Sequence, residues 1–296
     1  MKTNRNLTAQ ALVAFAAVCW GLLGIFTRRL TVAGFSLLDI VVFRNLISAV
    51  CLVSFLLLTQ REKLKLERKD IKIFAGMGGF GLVLNPTCYF MAINLLTLSA
   101  ASILLYTSPY MVMILSALVF KEKVTKQKIL AMLIAFSGCM MTVGMAGSTD
   151  VSITGIATGL TAAFFYSLYT ILGKTALRKY SPVAVTAYSF AAASILLLPF
   201  SNFGRILTLI GESGANLTNL LSVALFTTLL PFACYIRGLA KLEPGRAAII
   251  SFVEPLTAAI AGIVVFNEMF TAVKITGAAL ILLALIILNL KSRKTA

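Results

Sequence analysis

Hydrophobic residues run along this chain in blocks of about 20, parted by short polar connections and apolar all round rather than along one helical stripe. At about 1.5 Å per residue, a helix of that length crosses a hydrocarbon core of about 30 Å. Barrel strands would be roughly half as long and would alternate. The pattern predicts ten helices, over residues 8–27, 36–58, 71–93, 98–120, 127–146, 154–173, 182–200, 217–237, 245–266 and 272–290. The expected fold class is an all-α integral membrane protein with ten transmembrane helices. No connection is long enough for a separate soluble domain; the longest, 60–70 and 201–216, have room for interfacial turns. The first block follows a basic start (Lys2, Arg5), as a secretory leader would. It runs on through Trp20 to Thr27, ends in Arg28-Arg29 and has no convincing small-x-small cleavage site, so it is expected to be retained as the first span.

Polar positions inside these blocks are few. The stretch 246–268, RAAIISFVEPLTAAIAGIVVFNE, carries Glu254 and Pro255 side by side at its middle. An acid at that depth is expensive in lipid and belongs against protein or water. Pro255 has no N–H, and is expected to leave the carbonyl of Ser251 free for another partner. Arg44 lies about 12 Å into the second block, a depth comparable to that of Glu254. Asn85-Pro86, Pro109 and Pro231 interrupt the third, fourth and eighth blocks. Helix breaks are therefore expected at Pro86, Pro109, Pro231 and Pro255.

Placing Pro109 on Pro255 compares the chain with itself at an offset of 146 residues. The same offset pairs Ala101 with Ala247, Ile103 with Ile249, Phe120 with Phe266, Glu122 with Glu268 and Thr125 with Thr271; further out it pairs Tyr89 with Tyr235 and Trp20 with Tyr166. The chain reads as one five-helix unit used twice, residues 1–146 and 147–296. Because five is odd, the second copy enters the membrane from the opposite side, and the two form an inverted repeat. Inverted repeats with interrupted helices at matching positions are the architecture expected of alternating-access carriers. The mate of Glu254 is Ser108, so the charge belongs to the second copy alone.

Composition agrees with the pattern: of 296 residues, 59% are hydrophobic and 12% charged, too apolar for a soluble chain. The net charge of +16 does not signal nucleic acid, because the basic residues sit in short connections and are not interleaved with exposed aromatics. Counted on alternate sides of the ten helices, 21 Lys and Arg share a side with both termini and 4 lie opposite, with Arg44 on neither. The basic side is expected to be cytoplasmic and to touch lipid headgroups. The chain has no histidine, which excludes a His proton relay or His metal site; Cys19, Cys51, Cys88, Cys139 and Cys234 lie in apolar blocks without metal-type pairing and read as packing residues.

Positions three, four and seven from Glu254 read Ala247, Ile250, Ser251, Thr257, Ala258 and Ala261, mostly small or hydroxylated; the other side reads Ile249, Phe252, Val253, Leu256, Ile260 and Ile263, bulky and suited to lipid or apolar packing. Glu254 is thus expected to look inward. Arg44 and Glu254 either face a translocation cavity, meeting a charged substrate or a coupling proton, or they pair or find backbone carbonyls and hold the bundle together. Asn85 offers an amide to the same cavity, or an interhelical hydrogen bond. Among the intramembrane aromatics Trp20, Tyr89, Tyr106, Tyr110, Tyr166, Tyr169 and Tyr235, repeat symmetry picks out Trp20, Tyr89 and Tyr235 as cavity candidates, with core packing as the other role. The candidate translocation set is Glu254, Arg44, Trp20, Asn85, Tyr89, Tyr235, Ser251 and Ser108. Gly76, Gly78, Gly79, Gly81, Gly155 and Gly159 read as close-packing surfaces. Glu122-Lys123 and Asn267-Glu268 end their helices at opposite faces, in positions for capping, gating or plain solvation.

Trp20-Gly21, Arg44, and the boxes SPYMVMILSALVFKE (108–122) and EPLTAAIAGIVVFNE (254–268) carry a resemblance to the drug/metabolite transporter superfamily, and within it to the EamA type, over essentially the whole chain. The boxes lack the glycine that often precedes their final glutamate, and the second copy has Tyr166-Ser167 in place of Trp-Gly. The resemblance implies a ten-helix inverted-repeat carrier of the inner membrane, exporting amino acids or related metabolites without ATP. An uncoupled facilitator, an uptake permease or a multidrug exporter are the other roles within reach. No Walker loop, Gly-x-Ser-x-Gly or nucleotide fingerprint is present, so no enzyme activity and no cofactor are expected. The expected partners are a small-molecule substrate, membrane lipid and a coupling proton, with oligomeric state open.

Overall fold

The computed structural model describes residues 2–143, 152–266 and 271–290. Among them, ten helices are long and apolar enough to cross a membrane: Asn6–Val32, Leu37–Thr59, Arg68–Leu95, Leu98–Phe120, Lys126–Val143, Ile153–Ala176, Pro182–Phe200, Gly214–Leu239, Pro244–Val265 and Ala272–Asn289. They are the first to tenth spans below. The 60–70 connection holds two short 3-10 turns, Arg61–Leu64 and Arg68–Asp70. The 201–216 connection holds more than a turn: a helix, Phe203–Glu212, buries Ile206 and leaves Leu207 outward, as an interfacial helix does.

Side-chain hydroxyls within the spans donate back to carbonyls one turn earlier, as from Ser194 to Phe190, Ser189 to Val185 and Thr186 to Pro182, at 2.7–2.9 Å. This satisfies polar groups where no water is present. Large apolar side chains remain on the outside, among them Leu118, Val264, Ile195 and Ile286, where acyl chains rather than water surround them.

The spans pack across the two repeats, and the main contacts come in mirrored pairs. The first span lies on the eighth as the third lies on the sixth; the first meets the ninth as the sixth meets the fourth; the third meets the seventh as the eighth meets the second. The second–seventh, fourth–ninth and fifth–tenth pairs are their own mirrors. In the fifth–tenth crossing, a Cβ on Gly138 would stand 2.6 Å from the carbonyl oxygen of Gly277, and the converse distance is also 2.6 Å. Only glycine at both positions permits this approach. The core gathers on Phe232, whose ring lies 5.1 Å from Trp20, 5.4 Å from Tyr169 and 5.5 Å from Phe190, joining the first, sixth, seventh and eighth spans.

The prolines divide into two kinds. The fourth span stops at Leu105 and restarts at Ser108, and the ninth stops at Ile250 and restarts at Val253. The turns match: Tyr106 N–H donates to Ser102 and Thr107 N–H to Leu104, as Ser251 N–H donates to Ala247 and Phe252 N–H to Ile249. At Pro86 and Pro231, where breaks were also expected, the helix continues. Met77–Leu84 and Leu225–Leu229 are π-helical, with the N–H groups of Asn85 and Leu230 reaching back five residues to Phe80 and Leu225. A widened turn absorbs the missing proline donor without ending the helix.

Candidate functional site

The break in the ninth span places Glu254 in the first turn of the helix Val253–Phe266. The Ser251 carbonyl, expected to be free, accepts the N–H of Glu254 at 2.9 Å. The turn tightens to a three-residue bond and so takes up the acceptor that Pro255 cannot reach. The Ser251 hydroxyl donates to the Ala247 carbonyl at 3.2 Å and meets Tyr166. The break also turns the helix face. Ile249 and Phe252, on the side read as suited to lipid or apolar packing, are fully buried, whereas Ala258, on the side read as inward, is exposed. Ala247, Ile250, Ser251 and Ala261 of the small stripe are buried as expected, so the tighter turn at residues 251 and 252 shifts the inward face only in part.

Gly21 makes room for this turn. A Cβ there would stand 2.6 Å from the Thr257 Cβ and 2.7 Å from the Glu254 carbonyl oxygen, so the first span closes on the ninth at Glu254 only because residue 21 has no side chain. That gives the Trp20-Gly21 pair a physical reason. Trp20 itself is buried, 5.3 Å from the Tyr235 ring, and the Tyr235 hydroxyl lies 2.9 Å from the Thr170 hydroxyl. Both sit within the aromatic core.

The hydroxyl of Tyr106 donates to Glu254 Oε1 at 3.4 Å, and its ring lies 6.5 Å from that of Phe252. Tyr106 belongs to the break of the fourth span, so the two interrupted helices face each other and the bond joins one repeat to the other. Tyr89, Tyr166 and Cys139 lie close enough to interact electrostatically with the same carboxylate. The Tyr89 hydroxyl is 2.7 Å from that of Ser102. Glu254, Tyr89, Tyr106 and Tyr166 are each partly exposed although they lie deep within their spans. These partly exposed side chains, gathered around one carboxylate, are the candidates to line a translocation path.

Arg44 is not part of this group. Among the described residues no Lys or Arg forms an ion pair with Glu254, so the two intramembrane charges are not joined. Arg44 is partly exposed, and its buried Nε has no hydrogen-bond partner. Asn85 Nδ2 donates to the Ala162 carbonyl at 2.8 Å, tying the third span to the sixth. Ser108 is buried at the start of its helix. Asn267 and Glu268 lie outside the described residues.

Tyr106 and Tyr166 are the residues that symmetry alone passes over. Tyr106 stands opposite Phe252, which has no hydroxyl, and Tyr166 is the mate of Trp20. The signal that finds them is positional: Tyr106 lies two residues before the first-repeat mate of Glu254, inside the turn that must face the other broken helix. Together these residues offer one carboxylate, several phenol hydroxyls and aromatic faces at mid-membrane depth, a set suited to a proton or to the cationic end of a small solute.

Known proteins share this architecture. A solved crystal structure superposes with a TM-score of 0.80 at 16% identity, covering 95% of this chain and 96% of the other, a likeness of fold. The inner membrane transporter YicL of Salmonella typhimurium is 25% identical over 292 residues, 96% of each chain. An Archaeoglobus fulgidus transporter is 29% identical over 280 residues, 94% of this chain and 95% of its own. YxxF of Bacillus subtilis, also described as a transporter, is 25% identical over 276 residues, 92% of this chain and 84% of its own. The EamA-like transporter family matches twice, over residues 7–144 and 153–290, with both ends of the match displaced by 146 residues (153 − 7 and 290 − 144). This multi-pass membrane chain therefore belongs to the EamA-like transporter family.

Proposed function

We propose that the chain is a secondary carrier, not an enzyme, that moves small organic solutes, amino acids or related metabolites, outward across the cytoplasmic membrane. The halves 1–146 and 147–296 alternate access about the two interrupted helices, with both termini in the cytoplasm. The observation that carries this reading is the carboxylate of Glu254, unpaired with any described cation, partly exposed in mid-membrane, and hydrogen-bonded across the repeats by Tyr106. An intramembrane acid so placed is the usual mark of a substrate or proton pathway. The distribution of basic residues supports the orientation. Export rests on the family resemblance.

A thermal-shift screen of the purified chain across amino acids and related metabolites is expected to return a stabilising solute. Flux of that solute into proteoliposomes, with and without an imposed pH gradient, then tests the coupling. Flux that follows the gradient supports a proton-coupled carrier; flux indifferent to it marks an uncoupled facilitator.

A further inference from the structure

The two interrupted spans are also tied by charge at one membrane face, well away from Glu254. Lys128, at the start of the fifth span, places Nζ 2.6 Å from Glu122 Oε1 and 2.6 Å from Glu243 Oε2, and donates to the Lys123 carbonyl at 3.1 Å. Glu122, at the end of the fourth span, also accepts the Ser116 hydroxyl and, at 3.3 Å, the N–H of Gly245. Glu243 and Gly245 open the ninth span. The Lys128 and Glu122 side chains are 10% and 4% exposed, and that of Glu243 is 60% exposed. The cluster borders a cleft of about 470 Å³ that Lys174, Arg178 and Lys241 also line, on the side of the membrane that bears the basic connections.

Two properties make this more than helix capping. The bonds to Glu243 and Gly245 cross between repeats, whereas the buried Lys128–Glu122 pair lies within one. Parting the fourth span from the ninth therefore breaks only the crossing bonds and leaves Lys128 neutralised by Glu122, so no buried charge is left uncompensated. Glu254 lies ten residues, about 15 Å, along the ninth span from Pro244, so the crossing bonds hold together, at this face, the ends of the two spans whose breaks meet at Glu254. Resting on the alternating-access reading above, we propose that Lys128, held by Glu122, is a reversible latch on Glu243 that keeps this mouth closed and is released once in each transport cycle. In the second repeat Thr271 accepts the Lys274 N–H at 3.3 Å, as Thr125 accepts that of Lys128 in the first.

The test is sided labelling of the full chain in membrane vesicles. Ser251→Cys puts a thiol behind the latch with little change of volume, and a membrane-impermeant maleimide is added from the Glu243 face, with modification read at position 251 by mass spectrometry. Adding Glu243→Gln should speed labelling roughly three- to fivefold, the scale of an exposed ion pair, while Glu243→Asp should restore the slower rate. With Glu243 present, raising the ionic strength should also speed labelling by screening the pair; with Gln it should not. An unchanged rate in folded Glu243→Gln, or equal salt dependence in both, overturns the latch. Labelling needs no solute, so a responsive thiol in a chain that moves no solute would leave the latch standing and remove the carrier reading.

Discussion

Glu254 has its only described hydrogen-bonding side chain, Tyr106, in the other repeat, and this makes the two residues separable by experiment. Glu254→Gln keeps the shape of the side chain and removes its charge, so the variant should fold as the wild type does yet lose solute flux about tenfold or more. Tyr106→Phe removes one 3.4 Å hydrogen bond, a change of about 1 kcal/mol, and flux should fall severalfold with the thermal midpoint nearly unchanged. Gly21→Val has the opposite signature. Its Cβ would meet Thr257 at 2.6 Å and the Glu254 carbonyl at 2.7 Å, and overpacking of this kind costs about 1–3 kcal/mol, to be read as a lowered thermal midpoint in detergent. Arg44 has no ion pair to lose among the described residues, so Arg44→Ala should leave that midpoint nearly unchanged. A large drop would mean that Arg44 holds the bundle together.

At the scale of elements, the ten spans are legible in the sequence because a helix in lipid must stay apolar for its whole length. Their ends are less so: the first span runs to Val32 rather than 27, since helical geometry continues past Arg28 and Arg29, where hydropathy no longer registers it. Proline marks four interruptions but not their kind, because a break and a π-turn both accommodate its missing donor. The break of the first span at Leu22, between helices Lys2–Gly21 and Leu23–Val32, has no proline to announce it. The widened turns before Pro86 and Pro231 depend on packing that no single helix reveals. The Tyr106–Glu254 contact was out of reach for a related reason, since it depends on which broken helix faces which. Between elements, Lys179 clamps the 60–70 connection to the start of the seventh span, 2.5 Å from Glu67 and 2.6 Å from Asp70. The hydrogen bond from Lys179, then that from Lys69, holds the Glu67 carboxyl below its ordinary range, while bonds to Asp70 and Glu67 hold the Lys179 amine above its own. Glu67 therefore contributes above its unfolded pKa and loses that contribution as pH falls through its lowered folded value. Lys179 contributes below its unfolded pKa and loses that contribution as pH rises through its raised one. The clamp should be constant between about pH 5 and 10; the difference in thermal midpoint between wild type and Lys179→Ala should be flat there and shrink on further acidification.

For the whole molecule, the mirrored contacts of the main span pairs and the double family match at one offset describe a transporter built from two related units, of which only the second carries an acid at the helix break. Pro109 and Pro255 give both units a helix break; Glu254, opposite Ser108, gives only one a charge. On the proposed reading the repeated scaffold would supply the movement and the unequal site the selectivity, so substitutions at the site should leave the scaffold intact. The 146-residue period, the prolines and the solitary acid are all visible in the sequence, whereas the tyrosines around the acid come from three different spans and meet only when the repeats interlock. The most direct test is flux of the solute found by thermal shift, in proteoliposomes holding equal amounts of folded wild type and Glu254→Gln. The account predicts that the variant retains a tenth of wild-type flux or less; flux equal to wild type would contradict it.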